Sequence, residues 1–153
     1  MKKYILVSSV GVGSHELNSF DNALFQSKIA NYNLVKISSI LPINAKLCKR
    51  IDLEEGCILY TAYAQITTKQ MGEHIAAAVA VGIPKNKQNI GVIMEYSSFC
   101  NKAQAEDTVK NMVLEAMKLR GYEIAEIQCV SAETVGNGKE YSTAFAALAI
   151  WDA

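Results

Sequence analysis

Two adjacent serines, Ser38 and Ser39, follow a mostly apolar run at residues 34–37, and Pro42 comes three positions later. A serine hydroxyl can attack the peptide carbonyl that precedes it, which converts the amide into an ester. β-Elimination of an ester on Ser39 would cut the chain after Ser38 and leave a dehydroalanine, which hydrolyses to a pyruvoyl group with loss of ammonia. That ketone is an electron sink that no side chain supplies. Composition alone favours a strand that ends in a polar turn, so both interpretations stay open at this point.

A second candidate group is Glu95, the one carboxylate inside the apolar run at residues 90–96. A carboxyl group held in an apolar strand tends to have a raised pKa and can carry a proton near neutral pH. The same pattern is equally typical of a glutamate that faces solvent near the end of a strand. If its side chain faces inward, Glu95 is a candidate general acid.

Five segments, in order along nearly the whole chain, resemble the family of pyruvoyl-dependent arginine decarboxylases. A serine pair after a short hydrophobic strand is the self-cleavage point of that family. The similar segments are residues 33–42 for the processing site, 18–24 for the segment before it, 72–85 for the central stretch, 91–96 for the catalytic strand and 144–151 for the C-terminal strand.

The resemblance implies that the chain cleaves itself between Ser38 and Ser39, giving a β chain of residues 1–38 and an α chain of residues 39–153. Ser39 would become a covalent pyruvoyl group. The implied activity is decarboxylation of L-arginine to agmatine and CO₂, through a Schiff base between the substrate amine and the pyruvoyl ketone. The implied cofactor set contains neither a metal nor pyridoxal phosphate.

The resemblance also assigns roles to four further side chains. Glu95 is expected to protonate Cα after CO₂ has left, and the Asn33 amide to assist processing by donating to the oxyanion. Asp21 is expected to bind the substrate guanidinium, since a planar fork of donors fits a carboxylate, and Leu24 to contact its aliphatic part. On pattern alone, Asn33 is also typical of a turn or cap, and Asp21 of charge compensation at a helix N-terminus. Lys36 has no role in this prediction.

Two other functions remain open. One is a pyruvoyl-dependent decarboxylase that acts on another amino acid, such as histidine or ornithine. The other is an unprocessed, non-catalytic trimeric binding protein, against which the joint presence of Ser38, Ser39, Asn33 and Glu95 argues.

Composition limits the remaining classes. With 153 residues, 50% hydrophobic and 20% charged, the chain is expected to form one domain, residues 1–153, with a real core. Its 15 basic and 15 acidic residues cancel, so it lacks the positive field that nucleic-acid binding needs. The sequence contains no apolar run of about 18 residues, so no membrane span is predicted. The four cysteines lack metal or disulfide spacing, and we expect a cytoplasmic protein with reduced thiols.

The elements that must position these groups are mostly strands. Apolar residues repeat at three and four positions over residues 102–120, which predicts a helix. A shorter helix, capped by Asn18 or Ser19 and running to about residue 29, is expected to have Asp21 in its first turn and Phe20, Leu24 and Phe25 facing the core. Residues 74–83 are rich in alanine, but the resemblance favours a strand. The predicted strands are 3–10, 32–37, 57–67, 74–83, 90–96, 122–131 and 141–151, with residues 11–13 as a loop.

This pattern indicates the α+β class. The resemblance further implies a four-layer αββα sandwich of antiparallel and mixed sheets, assembled as a homotrimer of cleaved protomers.

Overall fold

The computed structural model describes residues 2–152, which form nine strands and two helices. The α+β class predicted from the sequence is confirmed, and the alanine-rich segment after residue 73 is a strand. The elements are β1 (Lys3–Gly13), α1 (Glu16–Gln26), β2 (Asn33–Lys36), β3 (Ile40–Leu41), β4 (Lys46–Leu47), β5 (Ile58–Thr68), β6 (His74–Pro84), β7 (Gly91–Ser98), α2 (Lys102–Leu119), β8 (Ile124–Val135) and β9 (Tyr141–Trp151).

The strands form two sheets. The five-stranded sheet has the order β2-β5-β9-β1-β4, in which β9 pairs antiparallel with β5 and β1, while β2 and β4 pair parallel with their neighbours. The four-stranded sheet has the order β3-β7-β6-β8 and is antiparallel throughout. The consecutive strands β2 and β3 are therefore edge strands of different sheets.

Three apolar clusters hold these elements together. One lies between α1 and the five-stranded sheet, one contains side chains of both sheets, and one lies between the four-stranded sheet and α2. Strand β6 contributes to the last two because its successive side chains point to opposite faces. Its intersheet residues are Ile75, Ala77, Val79 and Val81, and Ala76, Ala78 and Ala80 face α2.

The packing of β6 explains why its alanines do not make a helix. Both faces of the strand are covered, and small side chains on one face let α2 approach closely. The same approach constrains Gly82, where an added Cβ would lie 2.7 Å from the Val113 side chain. Tertiary packing thus outweighs the helix propensity of alanine here.

The predicted loop at residues 11–13 is wrong, because β1 continues to Gly13. A Cβ on Gly11 would lie 2.2 Å from the backbone nitrogen of Ala23, and one on Gly13 would lie 2.5 Å from that of Ser19. The two glycines therefore provide close contact between a strand and the backbone of α1, a known use of glycine within strands.

Helix α1 also differs from the prediction. It begins at Glu16, with His15 as an N-cap whose side chain makes no capping bond, and it ends at Gln26. Ser19 lies inside the helix and is buried, where its hydroxyl contacts that of Thr143 at 2.7 Å. Phe25, which was expected in the core, is 66% exposed.

Helix α2 agrees with the prediction. Asn101 and Gln104 form a capping box at its start, and Gly121, at φ +69°, follows its end. Its buried residues form the stripe that the periodicity predicted. Neither helix within residues 2–152 has both the length and the apolar character needed to cross a membrane.

Candidate active site

The serine pair lies where the chain leaves one sheet and enters the other. The Ile37 amide donates to the Thr61 carbonyl of the five-stranded sheet at 3.1 Å. Two residues later, the Ser39 carbonyl accepts from the Ile93 amide of the four-stranded sheet at 2.7 Å. The Ser38–Ser39 peptide bond therefore joins two edge strands, with a hydrogen bond to a different sheet on each side of it. We call residues 37–39 the crossover.

The groups at the crossover suit attack by a hydroxyl on the preceding carbonyl. Ser38 is exposed and Ser39 is half-buried. Within residues 2–152 the Ser38 carbonyl accepts no hydrogen bond, so its oxygen remains available to an outside donor. A donor at that oxygen would stabilise the negative charge that develops during the attack.

Glu95 faces the space between the sheets. It lies on β7 two residues beyond Ile93, and the two side chains share a face because strand side chains alternate. Ile93 belongs to the intersheet cluster, and Val79 of β6 lies opposite Glu95 in the ladder. Glu95 is two residues beyond Ile93, whose amide binds the Ser39 carbonyl, and a strand rises about 3.3 Å per residue. Glu95 therefore lies about 7 Å along the strand from Ile93.

The Glu95 carboxyl is half-buried and incompletely paired. Its Oε2 atom is buried and has no hydrogen-bond partner within residues 2–152. Burial raises the pKa of the carboxyl, and the positive charge of Lys36 acts in the opposite direction. A buried carboxyl oxygen without a partner usually calls for an explanation, such as a catalytic role.

Lys36 is a charged residue near the crossover to which the sequence analysis gave no role. It ends β2, and its Nζ lies 4.8 Å from the centroid of the Tyr63 ring. This contact depends on tertiary structure, since the two residues are 27 positions apart along the chain. Tyr63 packs with the cluster beneath α1, so the Lys36 ammonium lies on the α1 face of the five-stranded sheet. Ser38, Ser39 and Glu95 form what we call the crossover group.

Asn33 lies outside this group within one chain. It begins β2, and its Nδ2 atom donates to the Gly56 carbonyl at 2.9 Å. The full length of β2 separates it from the serine pair, at about 3.3 Å per residue. Its amide is thus occupied at the opposite end of the strand from the crossover.

Asp21 and Leu24 lie on α1, which covers the other face of the five-stranded sheet from Glu95. Asp21 is exposed in the middle of the helix rather than in its first turn. Leu24 is only 8% exposed, because it packs into the cluster beneath α1. Within one chain the sheet therefore separates these two residues from Glu95.

Aromatic contacts connect the two groups of candidates. Phe20, next to Asp21, lies 5.9 Å from the Tyr63 ring, and Phe145 lies 5.7 Å from the same ring. The Lys36 ammonium lies over the same ring. The ring of Tyr63 thus contacts both the helix that carries Asp21 and the lysine that ends β2.

No cavity described within residues 2–152 encloses the crossover group. One of about 190 Å³ lies near the other end of β3 and is lined by nine residues, among them Leu41, Pro42 and Gly91. Neither serine nor Glu95 lines this cavity or the four others described. Residues 2–152 also contain no group of three or more His, Cys, Asp or Glu side chains placed to hold a metal ion.

Comparison with known proteins gives a consistent result over the whole chain. A family model described as pyruvoyl-dependent arginine decarboxylase matches residues 3–153. Proteins named pyruvoyl-dependent arginine decarboxylase are similar to this chain in Methanococcus maripaludis strain C7 (41% identity, 95% of this chain and 88% of the relative) and in Methanocaldococcus jannaschii (41%, 95% and 87%). The relative of the same name in Pyrococcus abyssi is 40% identical over 86% of this chain and 84% of its own.

Proposed function

The chain belongs to the pyruvoyl-dependent arginine decarboxylase family, and we propose that it converts L-arginine into agmatine and CO₂ with a pyruvoyl group made from its own Ser39. The family, the lyase class and the covalent cofactor predicted from the sequence are confirmed by the family match and the named relatives. The observation that carries the proposal is the crossover, where a serine follows an unpaired carbonyl and adjoins the strand that bears Glu95.

Self-cleavage at Ser38–Ser39 is the first part of this proposal. The Ser39 Oγ atom attacks the Ser38 carbonyl carbon, and the C–N bond gives way to an ester. β-Elimination removes the Cα proton of Ser39 and breaks its Cβ–Oγ bond, which leaves a carboxylate on Ser38 and a dehydroalanine at residue 39. The imine tautomer of the dehydroalanine reacts with one water to give the pyruvoyl ketone, and its nitrogen departs as ammonia. Separate hydrogen bonds at Ile37 and Ser39 support both ends of the peptide during these changes. The products are a β chain of residues 1–38 and an α chain of residues 39–153.

The residues present fit the pyruvoyl group and its reaction. The group supplies the electron sink for the pair that the breaking Cα–carboxylate bond leaves behind. Burial raises the pKa of the Glu95 carboxyl, which favours its protonated form. Its unpaired Oε2 faces the intersheet space beside the strand that binds Ser39, so the carboxyl can deliver the proton to Cα after CO₂ has left.

Substrate recognition is assigned to Asp21, which is exposed and whose carboxylate forms no hydrogen bond or ion pair within residues 2–152, so it can bind a guanidinium. Since the five-stranded sheet separates Asp21 from Glu95 in one chain, we propose that a neighbouring protomer brings the two together in a homotrimer. Exposed apolar side chains along β2 and β5, at Val35, Ile58 and Tyr60, support an interface at this edge of the sheet. The role of Asn33 in processing and the contact of Leu24 with substrate stay predictions.

We further propose that the single domain is a four-layer αββα sandwich. This proposal is supported by three apolar clusters, one between α1 and the five-stranded sheet, one between the two sheets and one between the four-stranded sheet and α2. Three such clusters separate four layers. Cytoplasmic localisation also stays a prediction.

Intact-mass spectrometry under denaturing, reducing conditions tests the proposed function, together with an activity panel of arginine, histidine and ornithine. We expect two chains that split after Ser38, a pyruvoyl terminus on the larger one, and agmatine as the only amine formed. If the cleaved protein acts on histidine or ornithine instead of arginine, the proposed substrate is wrong. One intact, inactive chain would favour the binding protein.

The Asp21→Asn variant tests the substrate site. We expect normal cleavage and a loss of roughly 10- to 100-fold in kcat/KM for arginine, mainly through KM, because a charged hydrogen bond contributes about 1.5–3 kcal/mol. Asp107→Asn, which changes an exposed aspartate on α2, should have no effect. Steady-state kinetics on mass-verified protein gives the comparison, and an unchanged KM for Asp21→Asn would remove the assignment.

Co-expression of Asp21→Asn with Glu95→Gln then tests whether protomers share the site. Each variant alone should have little activity. Mixed trimers should regain part of it, because some sites combine an intact Asp21 from one chain with an intact Glu95 from another. No gain in isolated mixed trimers would mean that the two side chains act within one chain.

A further inference from the structure

A cavity of about 460 Å³ lies on the α1 side of the five-stranded sheet, and its volume is in the usual range for sites that bind small molecules. It is formed by β1, the turn after α1 and the segment of residues 48–51. Its apolar lining includes Ile5, Val7 and Ile51, which pack against the cluster beneath α1. Because the lining also contains three cationic residues and no acidic residue, we call it the basic cavity.

Two of the cations, Lys49 and Arg50, lie on a segment that is anchored at both ends. At one end, the Cys48 amide donates to the Tyr4 carbonyl of β1 at 2.8 Å. At the other end, the Asp52 carboxylate accepts one hydrogen bond from a side chain of β1 and one from a side chain of β9, each at 2.6 Å. These anchors fix the course of the segment that forms this wall of the cavity.

The third cation, Lys28, belongs to the turn that follows α1. The buried Ser27 hydroxyl donates to that of Ser9 at 2.6 Å, and the Lys28 amide donates to the Phe25 carbonyl at 3.0 Å. Lys28 has φ +63°, a left-handed conformation that glycine adopts at lower cost. A lysine side chain is therefore present at a position where the backbone conformation favours glycine.

The three cations have no partner of opposite charge within residues 2–152. None of their side chains forms a hydrogen bond or an ion pair there. The Asp52 carboxylate is already occupied, and Glu54 and Glu55 do not line the cavity. Three like charges around one cavity repel one another and attract anions into it. The charge distribution therefore favours an anionic ligand.

We propose that the basic cavity binds a small organic anion with two or more negative charges, such as a phosphorylated compound or a polycarboxylate. The planar guanidinium of Arg50 can bind a phosphate or a carboxylate through two hydrogen bonds, and the two lysines add point charges. The apolar part of the lining can contact the carbon skeleton of the ligand. Since neither Ser39 nor Glu95 lines the cavity, this site is distinct from the crossover group.

Isothermal titration calorimetry at low ionic strength tests the site, with pyrophosphate and citrate as probes. We expect saturable binding of at least one probe, at one per chain, and weaker binding as sodium chloride is added, because salt screens exposed charges. Tighter binding of pyrophosphate would support a phosphorylated ligand, and tighter binding of citrate would support a polycarboxylate. If neither probe binds saturably in the millimolar range, the inference is overturned.

Cys48 reports where the probe binds, since it is half-buried and lines the cavity. We expect the bound probe to slow alkylation of Cys48 several-fold, as measured by mass spectrometry of peptides, and to leave alkylation of Cys57 unchanged. Cys57 is exposed and lines none of the five cavities described within residues 2–152. Equal protection of both thiols, or no protection of Cys48, would place the anion elsewhere and reject the site.

Lys28→Gly and Arg50→Gln should each raise the Kd of the probe by at least about 10-fold, the effect expected when a charged hydrogen bond is lost. Lys28→Gly should not lower the thermal unfolding midpoint, because glycine suits φ +63°, so its loss of binding would not reflect a loss of folding. Lys118→Gln, which removes an exposed cation on α2, is the matched control and should bind as wild type does. Unchanged affinity in either cavity variant, or an equal loss in Lys118→Gln, would contradict the proposal. The site requires neither cleavage nor decarboxylation, so Ser39→Ala should also bind as wild type does.

Discussion

Ser39→Ala is expected to leave the protein folded, full length and without decarboxylase activity. The substitution removes the one hydroxyl that can attack the Ser38 carbonyl and become the source of the ketone. Without that ketone no electron sink remains, and turnover should fall by at least about 10³-fold, to the limit of detection. Folding should persist because the hydrogen bond to Ile93 uses the backbone carbonyl of residue 39, which alanine keeps.

Ser38→Ala is the matched control for this result. Its hydroxyl belongs to the residue whose carbonyl is attacked, so cleavage should still occur and the larger chain should still begin with a pyruvoyl group. Intact mass separates the two variants directly, and circular dichroism checks that both are folded. Cleavage of Ser39→Ala at the same bond would refute the proposed chemistry.

Glu95→Gln should have the opposite combination of effects, with normal cleavage and a loss of roughly 10²- to 10⁴-fold in kcat, the usual contribution of a general acid. Glutamine keeps the shape of the side chain but has no proton to give to Cα. Since burial raises the pKa of Glu95, the wild-type kcat should fall as pH rises through that pKa, and this limb should be absent from the variant. Carbon dioxide release across pH 5–9 measures both effects.

The same substitution should change how stability depends on pH. A carboxyl whose pKa is raised in the folded state stabilises the protein below its unfolded pKa, and this contribution is lost as pH rises through the folded pKa. Glutamine does not ionise, so the stability of Glu95→Gln relative to wild type should increase with pH. Glu115→Gln, an exposed site on α2, should show no such trend in thermal unfolding. If the stability of wild type and of Glu95→Gln depended equally on pH, the pKa of Glu95 would not be raised in the folded protein.

The sequence predicted the parts of this protein that depend on local pattern. Helix α2 has a regular apolar stripe with a cap at one end and a glycine at the other, so its position followed from periodicity. The serine pair and Glu95 were identified because their residue types are unusual in apolar strands. For residues 74–83, propensity and pattern disagreed, and only the family resemblance favoured the strand.

The remaining features depend on contacts between distant segments. Gly11 and Gly13 suggested a loop because their need for close contact with α1 is a property of the packed pair. Phe25 was expected in the core because it is a large apolar residue next to Leu24, but the buried face of α1 carries Ser19, Ala23 and Leu24 and leaves Phe25 exposed. The separation of Asp21 from Glu95, and the contact of Lys36 with Tyr63, arise from the order in which strands join the sheets.

That order has a consequence for the proposed cleavage. Strand β1 pairs with β9 from Lys3↔Trp151 to Gly13↔Tyr141 and lies between β9 and β4, and it would belong to the β chain of residues 1–38. Once the crossover is cut, complete unfolding also separates two polypeptides, so it becomes a bimolecular equilibrium that depends on protein concentration. The uncut chain is the species that can insert β1, an interior strand of the sheet, by intramolecular folding. Persistence of the mature enzyme is then governed by the rate at which its chains come apart, a kinetic rather than an equilibrium property.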